Sequence, residues 1–377
     1  MQVEKEQPNA VLFSREEHLR YARHTMLPGF GLAAQEKLKR ASILVIGAGG
    51  LGAPLLQYLC AAGVGRIGII DPDTVSLSNL QRQVLYSVDD LGMPKASTAA
   101  QKLKAQNPHV AFEVFPYSLH RENALDILAS FDLVADGSDN FPTRYLVNDA
   151  CVLLGKPLVY GSVFRFEGQV SVFNWLHSDG RRGPNYRNLY PDPPPPGTVP
   201  SCAEGGVLGV LPGIIGSMQA NEAIKILSHV GTPLSGTVCV YDALSARTHL
   251  IRIPEQKPYP VSALEDYEQL CGLPSREVPE IAYATLQSWV RSASPFHLVD
   301  VREPEEYARY NIGGELIPLA RLALHLPSLP RHCPIVFVCQ SGKRSLQAAL
   351  IAMSSDLAEV YSLKGGVEQV REDYFVE

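Results

Sequence analysis

The sequence predicts an α/β fold in two domains, and three observations support this prediction. Short apolar runs of strand length alternate with longer stretches of helical pattern, which is typical of parallel sheets covered by helices. The alternation pauses over residues 254–278, which contain four prolines, and then resumes. The 377 residues are 46% hydrophobic and 19% charged, so there is enough apolar material for two cores. We therefore expect domains at residues 1–253 and 279–377, joined by a linker at 254–278.

The N-terminal domain is predicted to hold a Rossmann-like sheet. Ser14 and Glu17 form a capping-box pattern at the start of its first helix. Buried parallel strands are predicted at residues 43–47, 66–71, 132–136 and 157–161. Helices are predicted near residues 50–62, 95–106, 121–130 and 143–154. Residues 166–175 alternate like an antiparallel strand, so we expect a mixed sheet. The domain should end with a proline-dense loop, a helix and two strands, at residues 181–206, 213–229 and 236–252.

The C-terminal domain repeats the alternation on a smaller scale. Strands are predicted at residues 296–301, 335–340 and 359–363. Helices are predicted near residues 283–293, 304–309 and 344–354. A length of about 100 residues is ordinary for a small domain. The sequence therefore predicts a second, smaller α/β domain.

The composition argues against several classes of partner. With 33 Lys and Arg against 39 Asp and Glu, the net charge is −6, so nucleic acid and anionic membranes are not attracted globally. No apolar run approaches the roughly 20 residues of a membrane span, and the N-terminus lacks a signal pattern. Seven widely spaced cysteines indicate reduced thiols rather than a disulfide framework. We expect a cytoplasmic protein that binds neither nucleic acid nor membranes.

A glycine-rich loop indicates a nucleotide site. Gly47, Gly49, Gly50 and Gly52 follow the first buried strand and open a helix, where backbone N–H groups can hold a phosphate. Asp71 ends the next strand, 24 residues after Gly47, where its carboxylate can accept hydrogen bonds from ribose hydroxyls. Taken alone, these residues favour a dinucleotide-dependent oxidoreductase.

Charged residues near further strand ends favour ATP instead. Arg82 and Lys95 are two cations at the same predicted edge, which suits a polyphosphate. Asp139 follows the third strand, where a carboxylate suits Mg²⁺. A hydride-transfer enzyme requires none of these groups. Together they predict a site for ATP and Mg²⁺, while an NAD-dependent oxidoreductase with a sulfur-binding appendage stays open as an alternative.

Several motifs resemble those of the MoeB/ThiF family, which is related to ubiquitin-activating enzymes. They are GAGGLG, DPDTVSLSNLQRQ, GMPKA, DGSDNFPTRYLVNDAC and PSCAEGGVLGVLPG, and the likeness extends from about Arg20 to Ile253. The resemblance implies an adenylation domain that uses ATP to activate the C-terminal glycine of a ubiquitin-like sulfur-carrier protein of the MoaD/ThiS kind. A general base is not expected, because the attacking carboxylate is already deprotonated at neutral pH.

The resemblance also implies roles for individual residues. Gly50 would contact the nucleotide, Asp71 the ribose and Asp139 the Mg²⁺ ion. Arg23 matches an arginine that reaches the phosphates from the other subunit of a homodimer. The triphosphate would be held by Asn79, Arg82 and Lys95. The full set implied for the nucleotide is Gly47, Gly49, Gly50, Asp71, Ser78, Asn79, Leu80, Gln81, Arg82, Lys95, Asp139 and Asn140.

The chain departs from the family at a zinc site. Many members carry two C-x-x-C pairs, but Asn185 and Asn188 stand at the first pair, and Tyr259 and Ser262 at the second. These neutral side chains are poor zinc ligands. The resemblance is therefore to a zinc-free variant.

A reactive thiol is predicted at Cys339, which follows a buried strand and precedes a helix. The helix dipole and the cations of Lys343 and Arg344 favour a thiolate there. A phosphatase loop places its arginine one residue further along, and the shorter spacing suits a persulfide better than a phosphate. The persulfide loop would comprise Cys339, Gln340, Ser341, Gly342, Lys343 and Arg344.

The C-terminal domain resembles rhodanese. The likeness lies in LVDVREPEEY (298–307), NIGGELIP (311–318), the Cys339 loop and LKGGVEQV (363–370), with Asn311 where family members often have His. The whole chain thus resembles adenylyltransferase/sulfurtransferases of the MoeZ type. For this chain, the resemblance implies that Cys339 carries a persulfide loaded by a cysteine desulfurase or from thiosulfate. This persulfide would turn the carrier adenylate into a thiocarboxylate. The pathway stays open between molybdopterin, thiamine, cysteine and others.

Cys202, in PSCAEGG, leaves a second function open. It matches a family cysteine that can form a covalent acyl link with the carrier. The implied catalytic set is Cys339, Arg82, Asp139, Arg23 and Cys202. The alternative is an activator of ubiquitin-like protein conjugation that works through a Cys202 thioester, with a regulatory rhodanese domain. The other five cysteines are expected to be structural.

Overall fold

The computed structural model describes residues 13–194, 206–254, 259–271, 278–353, 357 and 359–375. It divides into two compact units, Met1–Leu273 and Pro274–Glu377. Each unit contains its own sheet and its own buried clusters. The predicted α/β class with a mixed, mostly parallel sheet followed by a smaller α/β domain is confirmed.

Within the described residues, the sheet of the first unit has eight strands in the order β3-β2-β1-β4-β5-β6-β7-β8. The first five pair in parallel and the last four pair antiparallel, as in a doubly wound sheet extended by a meander. The strands are β1 (Ser42–Ile46), β2 (Arg66–Ile70), β3 (Ala111–Phe115), β4 (Leu133–Asp136), β5 (Leu158–Phe164), β6 (Glu167–Phe173), β7 (Thr237–Asp242) and β8 (Arg247–Arg252).

Helices cover both faces of this sheet, and separate clusters of buried apolar side chains lie on either side of it. The first helix has the predicted capping box, since Ser14 accepts from Glu17 N and Glu17 accepts from Ser14 N. The helices are α1 (Arg15–Arg20), α2 (Ala22–Thr25), α3 (Gly31–Arg40), α4 (Gly52–Ala62), α5 (Lys95–Gln106), α6 (Arg121–Ala129), α7 (Phe141–Leu154), α8 (Tyr186–Leu189), α9 (Val210–Ser228) and α10 (Tyr267–Leu270).

Part of the predicted linker packs on the first unit. Tyr267 is buried, and its hydroxyl donates a hydrogen bond of 2.9 Å to the buried carboxylate of Asp149. Arg187 donates to the same carboxylate, at 2.7 Å, and to Glu265 at 3.2 Å. These contacts fasten the segment that contains α10 against α7 and α8.

The second unit has a parallel sheet, which within the described residues is five-stranded, in the order β11-β10-β12-β13-β9. Its strands are β9 (Glu280–Ile281), β10 (His297–Asp300), β11 (Glu315–Leu316), β12 (Ile335–Val338) and β13 (Val360–Leu363). Its helices are α11 (Tyr283–Arg291), α12 (Pro304–Arg309), α13 (Leu322–His325), α14 (Lys343–Met353) and α15 (Gly366–Phe375). In the described part of the chain, no helix combines the length and the apolar character needed to cross a membrane.

Candidate functional site

A cleft of about 350 Å³ opens at the carboxyl ends of β1, β2 and β4. In a parallel sheet these ends share one edge, which is where ligands bind in open α/β folds. The residues predicted for the nucleotide that line it are Gly47, Gly49, Gly50, Asp71, Asn79, Arg82, Lys95, Asp139 and Asn140. The structure thus brings residues from four separate sequence motifs to one cavity.

The glycine loop requires glycine at two positions. Gly47 has φ +85°, and a Cβ there would lie 3.0 Å from the carbonyl oxygen of Gly137. A Cβ on Gly52 would lie 1.9 Å from the carbonyl oxygen of Gly47, so only glycine lets α4 begin this close to β1. The loop therefore presents bare backbone to the cleft at the start of α4, as phosphate-binding loops do.

Asp71 shapes this loop as well as lining the cleft. Its Oδ2 accepts a hydrogen bond of 2.7 Å from Ala48 N, and its Oδ1 accepts one of 2.8 Å from Asp73 N. Burial raises the pKa of the Asp71 carboxyl, while the Ala48 donor and the charge of Lys95 oppose that rise. Each carboxylate oxygen keeps a further lone pair for a ligand hydroxyl.

Two cations, Arg82 and Lys95, line the cleft. Lys95 begins α5, is buried, and places its Nζ 2.9 Å from Oδ2 of the exposed Asp73. Arg82 is half-buried, and its Nη1 donates 3.1 Å to the carbonyl oxygen of Ser78. Because one side of each cation faces a cavity, both can contact an anion there.

Asp139 is suited to bind a magnesium ion. It is exposed at the cleft, and it makes no hydrogen bond or ion pair with the described part of the chain. Beside it, Ser138 Oγ is buried without a hydrogen-bond partner among the described residues. Mg²⁺ at nucleotide sites is held by one or two carboxylates together with phosphate oxygens and waters, so this donor set suits it.

The sequence reasoning did not assign three further polar residues of the cleft. Gln83 Oε1 and Arg144 Nε are buried and, like Ser138 Oγ, lack a partner within the described residues. The Arg144 guanidinium lies 5.7 Å from the ring centre of Tyr160, and its Nη2 donates 3.2 Å to Ser138 O. Gln83 and Ser138 are sequence neighbours of the predicted Arg82 and Asp139, and Arg144 lies one helical turn after Asn140. Their buried polar atoms, without partners in the described part of the chain, indicate a role in the cleft, and only the structure reveals them.

Other predicted residues lie elsewhere. Ser78 and Gln81 are exposed, Leu80 packs partly against the core, and none of the three lines the cleft. Arg23 is exposed on α2 and does not line the cleft of its own chain. The prediction for Cys202 falls outside the described residues.

The residues at the family's zinc positions contact each other directly. Asn185 Nδ2 donates 2.9 Å to the carbonyl oxygen of Tyr259, and Tyr259 N donates 3.1 Å to Asn188 Oδ1. Asn185 is fully buried, and its Oδ1 also accepts from Arg187 N at 2.9 Å. Hydrogen bonds between side chain and backbone thus join the two segments.

The predicted persulfide loop connects β12 to α14. Cys339 is 1% exposed, and its thiol donates 3.6 Å to Ser345 Oγ. Its carbonyl oxygen accepts 2.9 Å from Val367 N at the start of α15. Gly342 has φ +91°, so the loop turns through the left-handed region just before α14.

The positive charge of Arg344 is paired. Its Nη1 and Nη2 lie 2.7 and 2.6 Å from the two carboxylate oxygens of Glu306 on α12. Hydrogen bonding from this guanidinium lowers the pKa of Glu306 to about 2. Gln340, in the same loop, accepts 3.3 Å from the buried Arg302, which is itself paired with Asp300.

Four of the remaining described cysteines are poor nucleophiles by environment. Burial raises the pKa of the Cys60 and Cys271 thiols to about 11 and also raises that of Cys151 and Cys239. Cys333 is partly exposed. A thiol with a raised pKa is protonated near neutral pH, so these four buried residues match the structural role expected of them.

The chain was compared with curated proteins and solved structures. It is 46% identical over 369 residues to a Mycobacterium tuberculosis protein named probable adenylyltransferase/sulfurtransferase MoeZ, covering 95% of this chain and 94% of that one. It is 54% identical over 268 residues to a Thermus thermophilus protein named sulfur carrier protein adenylyltransferase, covering 69% and 99%. A crystal structure of Escherichia coli MccB with ATP shares the fold, with TM-score 0.53, 20% identity, and coverage of 66% and 74%.

Family models match both units. Residues 21–261 match the model of the ThiF family, which is more than half of the chain. Residues 284–373 match that of the rhodanese-like domain. Together with the glycine loop, the cleft and the buried Cys339, these matches lead to one conclusion. The chain belongs to the ThiF family and carries a C-terminal rhodanese-like domain.

Proposed function

We propose that this protein is an adenylyltransferase and sulfurtransferase that converts the C-terminal glycine of a ubiquitin-like sulfur carrier into a thiocarboxylate. The observation that supports this most is the convergence of the glycine loop, Asp71, Arg82, Lys95 and Asp139 on one cleft. Two relatives are named for these activities, one of them similar over nearly the whole chain. The proposed partner is a carrier protein whose C-terminal Gly-Gly tail is narrow enough to enter the cleft.

In the first step, the carrier carboxylate attacks the α-phosphorus of ATP. The bond to the bridging oxygen breaks, and pyrophosphate leaves with its electron pair. Arg82 and Lys95 would stabilise the charge that gathers on the leaving group, while the glycine loop and Asp71 hold the nucleotide in line. The chain needs no general base for this step, because the attacking group is already ionised.

Asp139 would hold the Mg²⁺ ion that accompanies ATP. Bound there, the ion would neutralise phosphate charge and allow an anionic carboxylate to approach a polyanion. The Asp139 carboxylate is exposed at the cleft and makes no ion pair with the described residues, which supports this assignment.

In the second step, the outer sulfur of a Cys339 persulfide attacks the carbonyl carbon of the carrier adenylate, and AMP leaves. The product is an acyl disulfide between the carrier and Cys339. A thiol then attacks the Cys339 sulfur, so the carrier departs as a thiocarboxylate and the attacking thiol ends in a disulfide. Cys202 is a candidate for that thiol. The sulfur donor is a cysteine desulfurase or thiosulfate.

Two further parts of the proposal concern assembly and zinc. We propose a homodimer in which Arg23 of one subunit serves the cleft of the other, since this exposed arginine does not line its own cleft. We also propose that zinc is dispensable, because Asn185, Asn188 and Tyr259 already bridge the two segments by hydrogen bonds.

Exchange of labelled pyrophosphate into ATP, dependent on a carrier ending in Gly-Gly, tests the adenylation step. We expect exchange with the wild type, loss with Asp139→Ala, and full retention with the matched control Cys339→Ala, which affects only sulfur transfer. A carrier that stays attached to Cys202 through a thioester would favour the conjugation function instead. Thermal stabilisation by NADH but not by MgATP would contradict adenylation altogether.

A further inference from the structure

The Cys339 loop is held rigidly by its neighbours. The carbonyl oxygen of Cys339 accepts 2.9 Å from Val367 N, and that of Gln340 accepts 3.0 Å from Glu368 N. The Gln340 side chain is fixed at both ends, accepting from Arg302 at 3.3 Å and donating to Glu368 at 3.1 Å. The charge near the thiol then depends on the side chains of the loop and on their partners, and Arg344 interacts electrostatically with Cys339.

Arg344 is a cation of this loop, and it faces a carboxylate. Its guanidinium and the Glu306 carboxylate form two hydrogen bonds of 2.7 and 2.6 Å, and their side chains are 34% and 32% exposed. This two-pronged geometry uses both oxygens of Glu306 and two nitrogens of Arg344. The strongly lowered pKa of Glu306 means that the pair persists at neutral pH.

The two proposed sulfur donors differ in charge. Thiosulfate is a dianion: the Cys339 thiolate attacks its outer sulfur, the sulfur–sulfur bond breaks, and sulfite leaves with the electron pair. A persulfide donor transfers its outer sulfur in the same way and leaves as a thiolate, but it brings no sulfonate group. An unpaired cation near Cys339 would strengthen the binding of a sulfonate. Because Glu306 pairs with Arg344, the positive charge of Arg344 is neutralised and attracts a sulfonate less strongly.

We propose that Glu306 is a specificity-determining residue of the sulfurtransferase site, which disfavours thiosulfate by neutralising Arg344 beside Cys339. This inference rests on the proposed function and deepens it, because it concerns which donor loads the persulfide. Glu306 is a positioning residue that acts through Arg344 on a negatively charged donor. The donor class favoured by the loop is then a thiol persulfide without a sulfonate.

The test uses the full-length protein and two donors, thiosulfate and hydroxyethyl persulfide, with cyanide as the acceptor that releases thiocyanate from the Cys339 persulfide. Three variants are compared with the wild type. Glu306→Gln removes the charge, and Glu306→Asp keeps it on a shorter side chain. Glu305→Gln is the matched control, because this neighbour on α12 is exposed and makes no ion pair with the described residues.

We expect Glu306→Gln to lower KM for thiosulfate by about fivefold at low salt, the upper range for a half-exposed charge interaction. Its kcat and its activity with hydroxyethyl persulfide should stay near the wild-type values, and high salt should remove the difference. Glu305→Gln should behave like the wild type. Glu306→Asp keeps the charge but not the full two-pronged geometry, so it should lower the KM for thiosulfate less than Glu306→Gln does. A merely structural role would instead lower kcat with both donors.

Three results would overturn the inference. A KM for thiosulfate that is unchanged or raised in Glu306→Gln would do so, as would an equal drop in KM in Glu305→Gln. Failure of the wild type to acquire a persulfide on Cys339 from either donor, measured by mass spectrometry, would overturn the proposed sulfur-transfer step together with this inference. Persulfide formation in the wild type without the predicted KM shift would overturn the role of Glu306 alone.

Discussion

Ala48 N, in the glycine-rich loop, donates a hydrogen bond of 2.7 Å to Asp71 Oδ2 at the end of the neighbouring strand. The other carboxylate oxygen accepts 2.8 Å from Asp73 N. One buried side chain thus fixes the loop proposed to face the phosphates while it lines the place proposed for the ribose. A substitution at Asp71 should therefore disturb both the geometry of the glycine loop and the contacts to the nucleotide.

Asp71→Asn tests this double role. The amide replaces one acceptor by an NH₂ group that faces a backbone donor, which leaves a buried N–H unpaired and costs about 1–3 kcal/mol. We expect a lower free energy of unfolding in denaturant and at least a tenfold higher KM for ATP, since that penalty acts where the nucleotide binds. Asp89→Asn, an exposed substitution outside the cleft, should change neither quantity.

Arg144 is expected to matter for adenylation, although no role was predicted for it from the sequence. Its Nε is buried in the cleft without a partner among the described residues, so it can donate to an anionic ligand. Losing one charge-assisted hydrogen bond in Arg144→Gln should slow pyrophosphate exchange by roughly tenfold to a hundredfold. The exposed substitution Arg121→Gln should not. Normal exchange in Arg144→Gln would show that this guanidinium is only structural.

The cleft was predictable because its main residues follow strands directly. Gly47, Asp71 and Asp139 each come just after a buried apolar run, and parallel topology brings such positions to one edge. Arg144 was harder to assign, because a charge one turn into a helix looks the same in sequence whether it faces solvent or a cavity.

Three strands were not predicted from the sequence, and each lacks the pattern on which the prediction of a strand depends. β3 (Ala111–Phe115) is an edge strand with no fully buried residue, so it lacks the continuous apolar run of a central parallel strand. β9 and β11 each have two residues, which is too short for any periodic pattern.

The sequence predicted that Arg344 adds positive potential, but its partner Glu306 lies 38 positions away on another helix. Only the tertiary fold brings the two together.

Asn185 should stabilise the two segments that hold the zinc positions of the family. Asn185→Ala removes its hydrogen bonds to Tyr259 O and Arg187 N in a buried place, which should lower the free energy of unfolding by about 1–3 kcal/mol. Exposed Ser262→Ala, in the same segment as Tyr259, should have no effect. Dialysis against a chelator should leave the thermal midpoint of the wild type unchanged. A fall in that midpoint, restored by zinc, would contradict the zinc-free assignment.

The Glu306–Arg344 pair should make the second unit sensitive to acid. Hydrogen bonding from Arg344 lowers the pKa of Glu306 from 4.5 to about 2, so the pair stabilises the folded state above pH 4.5 and loses this effect as the pH falls toward 2. Native-state hydrogen exchange of the β12 amides should therefore show a stability advantage of wild type over Glu306→Gln that shrinks across this range. An advantage that grows on acidification would contradict the pairing.

In the proposed mechanism, one chain adenylates a sulfur carrier in the first unit and supplies sulfur from Cys339 in the second. Its most direct test is intact mass spectrometry of carriers ending in Gly-Gly after incubation with the protein, MgATP, a sulfur donor and a thiol. We expect one carrier oxygen to be replaced by sulfur, and we expect this replacement to be lost in both Asp139→Ala and Cys339→Ala. Sulfur gain that survives Cys339→Ala, or the absence of any gain beside an active adenylating relative as positive control, would contradict it.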